Sequence, residues 1–438
     1  MKSAFLIAAP ASGSGKTTVA RGLMKLFTTK GLTVQPFKCG PDYIDTKFHA
    51  AVCGRPSVNL DTFMASPEHV SQLFTRYGTE ADVGIVEGMM GLFDGYDRDR
   101  GSAYEIAREL GLPVVLVVDA KSTAYSMAAL LSGFVSFRSD ISFAGVIYNK
   151  VGSEKHGRML RQVSDDVSLP CLGLLPKTTS LEQASRYLGL DFSQTAESRE
   201  LVTLLEKHVD WQRLLQCQPF QIPEGWEVES GRWSEEGERW NEEGRERKAV
   251  DCHNVLIARN AESFSFIYQE TIDAMGNVSF FDPETEVPTF EGIDLLYLPG
   301  GYPEKHLEAL TGNEACRRAI RDFAERGGRI IAECGGMMYL CRSIVSDDGE
   351  YPMCGVLPHT ITARQADRRL SLGYRRFVLD GQEYRGHEFH YTQFVSPLPP
   401  SATQVCDALG QPTATPVVRY KNVIASYTHL YLNETNLY

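Results

Sequence analysis

The chain has 438 residues, of which 43% are hydrophobic and 23% charged, a composition typical of a water-soluble globular protein long enough for two or three domains. Its formal net charge of -12 argues against nucleic acid or an anionic membrane surface as the main partner. No stretch approaches the ~18 consecutive apolar residues of a membrane span. The ten cysteines lack C-x-x-C spacing, so the sequence predicts neither a zinc site nor disulfides. This cysteine usage favours a reducing cytoplasm.

The first half of the chain alternates short apolar runs with segments of helical length. Most of the runs are apolar throughout, as expected for parallel strands that helices cover on both faces. The first run leads directly into a glycine-rich motif, so we interpret it as a strand and not as an export signal. This order predicts a doubly wound α/β domain. The predicted strands are 3–10, 33–40, 81–88, 113–120, 143–150 and 169–176.

A phosphate-binding loop is predicted in APASGSGKTTVARGL, residues 9–23, between the first strand and a helix. Glycines let backbone N–H groups turn towards phosphate oxygens, and the helix N-terminus adds the positive end of its dipole. Pro10 replaces the first glycine of the usual motif, and a glycine-rich helix cap is the alternative. Lys16 is expected to reach the outer phosphates of a nucleotide. The predicted nucleotide-binding residues are Ser12, Gly13, Ser14, Gly15, Lys16, Thr17, Thr18 and, after a later strand, Asn149.

Carboxylates follow two other strands of the predicted sheet. Asp42 and Asp45 lie in KCGPDYID, and Glu87 and Asp94 lie in VEGMMGLFDG. Mg²⁺ prefers oxygen ligands, and open α/β sheets bind ligands at the carboxyl ends of their strands. Thr17, Asp42 and Glu87 are therefore predicted to hold Mg²⁺, with Asp45 and Asp94 near a substrate. A turn-capping role is an equal alternative for each aspartate.

The character of the sequence changes over residues 223–250. The stretch EGWEVESGRWSEEGERWNEEGRER is charged, glycine-punctuated and poor in aliphatic residues, so it predicts a linker between domains 1–222 and 251–438. Its three tryptophans leave local docking open. A second alternation of strands and helices follows, with predicted strands in CHNVLIAR, DLLYLPGG, RIIAEC and NVIASYTHLYL.

The run RIIAEC ends in a cysteine that two glycines follow. Ala332 and Gly336 give Cys334 the small neighbours that a strained strand-to-helix turn requires when it carries a nucleophile. The N-terminus of the next helix is expected to lower the pKa of this thiol. The backbone N–H groups of Gly335 and Gly301 are the predicted oxyanion donors. The alternative is a buried cysteine that acts as a small hydrophobic side chain.

A thiol nucleophile needs a base, and three late histidines are candidates. His429 in ASYTHLYL stands at the end of an apolar strand and is the predicted base. His387 and His390 in RGHEFHY are its competitors. Alternation along a strand points these two side chains to different faces, which argues against a metal site there.

The motifs YLPGGYPE, AECGGMMYL, GYR, RGHEFHY and ASYTHLYL together resemble the class I glutamine amidotransferase domain of the cobyrinic acid a,c-diamide synthase family. The motifs APASGSGKTT, KCGPDYID, VEGMMGLFDG and RYLGL resemble the ATP-dependent amidoligase domain of that family, which is related to dethiobiotin synthetase. The resemblance implies a P-loop domain over 1–222 and an amidotransferase-like α/β domain over 251–438. Each motif is modest alone, and their order and joint presence make the resemblance specific.

The resemblance implies an enzyme that joins two half-reactions. Cys334 releases ammonia from glutamine through a thioester, and ATP with Mg²⁺ activates a substrate carboxylate as an acyl phosphate that ammonia attacks. The implied substrate is cobyrinate, amidated at its a and c acetate side chains in cobalamin biosynthesis. The alternative substrates are hydrogenobyrinate and nickel-sirohydrochlorin, and the alternative reaction is that of cobyric acid synthase. A non-catalytic ATP-binding regulator is the alternative from another functional class. A homodimer is a possible assembly.

One position departs from the pattern of other class I amidotransferases, as is common in the cobyrinic acid group, and a second position departs from the pattern of the family itself. Other class I amidotransferases have a glutamate two residues after the catalytic histidine, which orients it, but this chain has Tyr431 there. The group that orients His429 is therefore unassigned. RYLGL has Tyr187 where the family has histidine, and the neighbouring Arg186 is a candidate substrate contact.

Overall fold

The chain forms two compact units, 1–231 and 232–438. Their boundary falls inside the stretch 223–250, whose role as a linker stays a prediction. Arg186 and Tyr187 lie outside the residues that the computed structural model describes. The described residues are 1–177, 199–217, 239–240, 246–247, 254–395 and 397–433.

A seven-stranded sheet forms the centre of the first unit, and all of its strand pairs are parallel. The predicted doubly wound pattern is confirmed, because the six predicted strands are all present. A seventh, β3, was not predicted, since it is short and carries Asn59, whose side chain donates to Gly40 O and Asp42 O. In chain order the strands are β1 (Ser3–Ala8), β2 (Val34–Cys39), β3 (Val58–Leu60), β4 (Val83–Glu87), β5 (Val114–Asp119), β6 (Phe143–Val151) and β7 (Cys171–Pro176); across the sheet they run β3-β2-β4-β1-β5-β6-β7.

Helices connect these strands, and their ends follow local sequence signals. Ser66, Ser102 and Ser153 each cap a helix by accepting a backbone N–H three residues on. Leu23 and Phe27 of the first helix belong to the core beneath the sheet. The helices are α1 (Lys16–Thr29), α2 (Asp45–Cys53), α3 (Pro67–Gly78), α4 (Ala103–Glu109), α5 (Met127–Phe137), α6 (Glu154–Asp166), α7 (Arg199–His208) and α8 (Trp211–Leu214).

The second unit is also α/β, as predicted, with a six-stranded sheet at its centre. Two short strands, β8 (Arg239–Trp240) and β9 (Glu246–Arg247), precede it and pair antiparallel. The pairs within the six-stranded sheet are parallel except the last, which is antiparallel. From one edge to the other the sheet contains β11 (Asn277–Phe281), β10 (Asn254–Ala258), β12 (Leu295–Leu298), β13 (Ile330–Glu333), β22 (Val423–Ser426) and β21 (Val417–Tyr420).

Two smaller sheets extend the second unit. The first contains β15 (Glu350–Pro352), β14 (Cys341–Val345), β16 (Leu357–Thr362) and β19 (Gln393–Phe394). The second contains β20 (Cys406–Asp407), β17 (Ser371–Leu379), β18 (Gln382–His390) and β23 (His429–Leu430). The helices are α9 (Gln269–Ala274), α10 (Leu307–Gly312), α11 (Glu314–Glu325) and α12 (Gly335–Leu340). Among the described helices of both units, none is long and apolar enough to cross a membrane.

The run NVIASYTHLYL, predicted as one strand, forms two strands in different sheets. β22 ends at Ser426, whose hydroxyl accepts the Thr428 N–H at 3.2 Å and so favours a turn. His429 then starts β23, which pairs with β18. The break carries His429 away from the parallel sheet on which β13 delivers Cys334.

Candidate active sites in the two units

The predicted phosphate loop connects β1 to α1. Gly13 and Gly15 have φ values of 82° and 97°, in the left-handed region that glycine enters without steric cost. Ser12 and Gly13 are exposed, whereas Ser14 is buried and its hydroxyl donates to Ala11 O at 2.9 Å. The other predicted contacts open helix α1: Lys16, Thr17 and Thr18.

Asn149, at the end of β6, reaches this loop. Its Nδ2 donates to Ser14 O at 3.0 Å. A Cβ added at Gly15 would lie 2.2 Å from that Nδ2, so the close approach of Asn149 requires glycine at this position. The side chain thus supports the backbone of the loop, and its predicted contact with a nucleotide base stays a prediction.

Lys16 extends from the start of α1 to the segment that follows β4. Its Nζ donates to Met90 O at 2.5 Å. Burial lowers the pKa of Lys16, and repulsion from Lys38 lowers it further. Anionic phosphate oxygens are the partners expected to stabilise such a partly buried ammonium group.

Glu87 is the centre of a buried polar cluster beside this loop. Its side chain is fully buried and accepts the Thr17 hydroxyl at 2.5 Å. Lys38 Nζ lies 3.1 Å from Oε1, and His49 Nε2 lies 2.7 Å from Oε2. Burial alone would raise the pKa of Glu87, but the charge of Lys38 and the contact with His49 hold it well below its usual range. Glu87 is therefore a carboxylate at neutral pH.

Lys38 is a member of this cluster that sequence reasoning missed. Its ammonium group is buried, with Nζ 2.7 Å from Asp45 Oδ2. Burial opposes its charge, but attraction to Glu87 and Asp45 outweighs burial and raises the pKa of Lys38. Burial and the nearby Glu87 raise the pKa of Asp45 to about 6. A lysine inside the otherwise buried strand β2 was the available sequence signal, because buried lysine is rare unless paired.

Asp42 and Asp94 make contacts that close turns, which agrees with the turn-capping role that was the alternative to ligand binding. Asp42 Oδ1 accepts the backbone N–H groups of Ile44 and Asp45, each at 2.8 Å, where the chain enters α2. Asp94 Oδ2 accepts the Gly91 N–H at 3.0 Å. Their predicted parts in metal and substrate binding stay predictions.

In the second unit, Cys334 occupies a strained turn between β13 and α12. Its φ of 47° and ψ of -107° are rarely adopted by residues other than glycine. The Cys334 N–H donates to Ser426 O of β22 at 2.8 Å, and Cys334 O accepts the Met338 N–H at 3.0 Å. A Cβ on Gly336 would lie 2.0 Å from Leu298 O, so the turn requires this glycine.

The expectation of an acidified thiol is wrong for this turn. Burial raises the pKa of the Cys334 thiol, and the nearby Glu304 raises it further, although the Gly335 N–H favours the thiolate. The sequence showed the helix that follows Cys334, but it did not show that the thiol is 4% exposed in a hydrophobic core. A base is therefore needed to remove the proton.

His429 lies next to the turn that carries the other predicted oxyanion donor. A Cβ on Gly300 would lie 2.1 Å from His429 Cε1, and a Cβ on Gly335 would lie 3.0 Å from Gly301 N. The Gly300–Gly301 turn therefore touches both the Cys334 turn and the His429 ring. Burial, with repulsion from His387 and a second histidine, lowers the pKa of His429 well below its usual value, so the ring is neutral and able to accept a proton.

The competing histidines have other partners. His387 stacks on the His429 ring with centroids 5.0 Å apart, and its Nδ1 lies 3.0 Å from the Tyr268 hydroxyl. His390 stacks on Tyr427 at 3.7 Å, and its Nδ1 lies 2.9 Å from Thr392 O. Burial lowers the pKa of His387 to about 3, which keeps it neutral.

Comparison with known proteins gives matches over both units. Residues 5–188 match the model of the CobQ/CobB/MinD/ParA nucleotide binding domain, and residues 257–437 match that of the CobB/CobQ-like glutamine amidotransferase domain. The hydrogenobyrinate a,c-diamide synthase of Rhizobium meliloti (strain 1021) is 36% identical over 97% of this chain and 98% of that protein. The enzyme of the same name from Stutzerimonas stutzeri is 38% identical over 98% and 95%. The cobyrinate a,c-diamide synthase of Caldanaerobacter subterraneus is 35% identical over 98% and 95%.

Proposed function

The chain belongs to the family of hydrogenobyrinate and cobyrinate a,c-diamide synthases, and from this membership we propose that it converts the a and c acetate carboxylates of cobyrinate into amides with ATP and glutamine. The observation that carries the proposal is the presence of both half-sites in one chain. In the second unit, the strained Cys334 turn and the neutral His429 ring both contact the Gly300–Gly301 turn. The first has a phosphate loop beside the ionised Glu87.

The glutaminase half-reaction belongs to Cys334 and His429. His429 takes the thiol proton while the sulfur attacks the side-chain amide carbon of glutamine. The N–H groups of Gly335 and Gly301 stabilise the oxyanion that forms. His429 returns its proton to the departing nitrogen, so ammonia leaves and a thioester remains. Water then hydrolyses the thioester and releases glutamate.

The synthetase half-reaction belongs to the first unit. A substrate carboxylate oxygen attacks the γ-phosphorus of ATP, ADP leaves, and an acyl phosphate forms. Lys16 stabilises the charge on the transferring phosphoryl group. Ammonia attacks the acyl carbon, loses a proton, and inorganic phosphate leaves as the amide forms.

The donor set beside the loop fits Mg²⁺. The Thr17 hydroxyl and the ionised Glu87 are adjacent hard oxygen donors. Thr17 and Glu87 would hold the ion, and Asp42 is the third predicted ligand. Mg²⁺ bound there would neutralise charge on the phosphates of ATP.

Product analysis identifies which tetrapyrrole ring is the substrate. Hydrogenobyrinate is the second candidate, because two relatives of similar identity carry that name. Purified protein with ATP, Mg²⁺ and glutamine is offered cobyrinate, hydrogenobyrinate or nickel-sirohydrochlorin, and products are analysed by mass spectrometry. We expect cobyrinate to gain two amides, at the a and c positions in fragment spectra. Glutamate release without amidation of any of the rings would contradict the proposal.

We also propose a homodimer. Helix α5 exposes large apolar side chains, with Leu130 at 40% and Phe137 at 59% exposure, and such patches often mark protein contacts. Sedimentation equilibrium is expected to give twice the mass of one chain. A single-chain mass at micromolar concentration would argue against the dimer.

A further inference from the structure

We propose that Glu333 is the positioning residue of the glutaminase base: its carboxylate accepts the Nδ1–H of His429, so that Nε2 is the nitrogen that takes the Cys334 proton. The inference rests on the proposed function, in which Cys334 and His429 act as a pair. It assigns the orienting role that is open in this chain, since Tyr431 stands where other class I amidotransferases have a glutamate.

Strand pairing brings Glu333 to this position. Glu333 is the last residue of β13, directly before Cys334, and is 1% exposed. Its Oε1 accepts the Leu430 N–H at 3.1 Å, which fixes the carboxyl group beside the residue that follows His429. Its Oε2 lies 3.9 Å from His429 Nδ1. A shift of about 1 Å makes this contact a hydrogen bond, and catalytic hydrogen bonds are often longer before substrate binds.

The second carboxyl oxygen has no evident structural task. Among the described residues, Glu333 Oε2 has no hydrogen-bond partner within bonding distance, although it is buried. Burying a carboxyl group with an unsatisfied oxygen is costly, and a neutral acceptor would be enough to satisfy the Leu430 N–H. A role towards His429 explains why a carboxyl group occupies a core position.

The other groups around His429 are engaged elsewhere or neutral. Glu388 accepts from Arg375, Ser371 and Thr428 at 2.9, 2.9 and 3.2 Å, so its oxygens are already bonded. Two histidines also act on His429: His387 is neutral and bonded to a tyrosine, and His390 is bonded to a backbone carbonyl. Glu333 is the carboxylate positioned to select the His429 tautomer.

Burial sets the pH at which Glu333 can act. Burial raises the pKa of Glu333 to about 8, although Tyr297 and the Leu430 N–H favour the carboxylate. The carboxylate is an acceptor without a proton of its own, so it accepts the Nδ1–H. Protonated Glu333 would instead donate to Nδ1 and place the histidine proton on Nε2. Wild-type glutaminase kcat/KM should therefore rise with pH through about 8 as Glu333 loses its proton.

Glu333→Gln tests the role with little change in shape. The amide oxygen would still accept the Leu430 N–H, so the NH₂ group would face Nδ1 and impose the wrong tautomer. We expect glutaminase kcat to fall by about 10² to 10⁴-fold, with the KM for glutamine little changed. The limb of the pH profile near 8 should disappear. Glu325→Gln removes an exposed carboxylate that pairs with Lys421 and should leave kcat and the profile unchanged.

Nitrogen NMR of isotope-labelled histidines gives a second readout that does not depend on the variant folding. The wild-type protein above pH 8 should show His429 with its proton on Nδ1. A proton on Nε2 there, or a folded Glu333→Gln variant with wild-type kcat and pH profile, would overturn the positioning role. Cys334→Ala distinguishes a failure of the Glu333 proposal from a failure of the proposed function. If that variant keeps glutaminase activity, the assignment of Cys334 and His429 as the catalytic pair is wrong.

Discussion

Cys334→Ala is expected to reduce glutamine-dependent amidation to background and to leave ammonium-dependent amidation at the wild-type rate. The variant removes the sulfur that forms the thioester, whereas the phosphate loop and Glu87 belong to the other compact unit. Amide product is measured by mass spectrometry with glutamine or high ammonium as the nitrogen source. Cys341→Ala is the matched control, since burial raises the pKa of that thiol too and no chemistry is assigned to it.

His429→Ala should resemble Cys334→Ala, because burial raises the pKa of the thiol and a base is needed to ionise it. Loss of the ammonium reaction in a folded Cys334→Ala variant would show that the two half-sites are not assigned correctly. If Cys341→Ala also loses glutamine-dependent activity, the loss in Cys334→Ala is explained by disturbed core packing and not by removal of a nucleophile.

Lys16→Ala is expected to lower amidation from either nitrogen source by at least about 10²-fold, because the acyl phosphate does not form without the lysine that stabilises the transferring phosphoryl group. The thioester chemistry of Cys334 does not involve this lysine. Product formation from glutamine and from ammonium is compared directly. Lys30→Ala, at an exposed position just beyond α1, is the control and should retain both activities. Normal ammonium-dependent synthesis by Lys16→Ala would exclude the proposed phosphate site.

A companion variant, Glu87→Gln, addresses the metal at the same site. The neutral amide cannot supply the carboxylate that we assign to Mg²⁺, so calorimetry should show weaker ATP binding with Mg²⁺ and little change without it. Unchanged Mg²⁺-dependent affinity together with unchanged turnover would remove Glu87 from the metal site.

Local patterns were sufficient to predict six of the seven described strands of the first unit and both glycine turns. Five of the six predicted strands of the first unit lie inside the sheet, with β7 at one edge, and most are apolar in sequence, so periodicity and burial agree. The phosphate loop and the Cys334 turn depend on glycines whose spacing is visible in the sequence. Each of these features is fixed by residues that are close together along the chain.

Features that depend on distant pairings were not predictable. Lys38 and His49 meet Glu87 because β2 lies next to β4 and α2 follows it. Glu333 meets His429 because β13 pairs with β22 and the chain then turns at Ser426. A single sequence does not give the order of strands in a sheet, and it does not give the depth of burial that reverses the expected pKa shift of the thiol.

The backbone at Cys334 also has an evolutionary consequence. A residue other than glycine with φ of 47° and ψ of -107° destabilises the folded chain by about 1–3 kcal/mol. Selection for the reaction maintains that cost, and drift after loss of the reaction would relax it. Glycine is the replacement that this conformation admits without strain. A descendant that had lost its glutaminase activity is therefore expected to acquire glycine at this position, which would mark it as inactive before its chemistry was assayed.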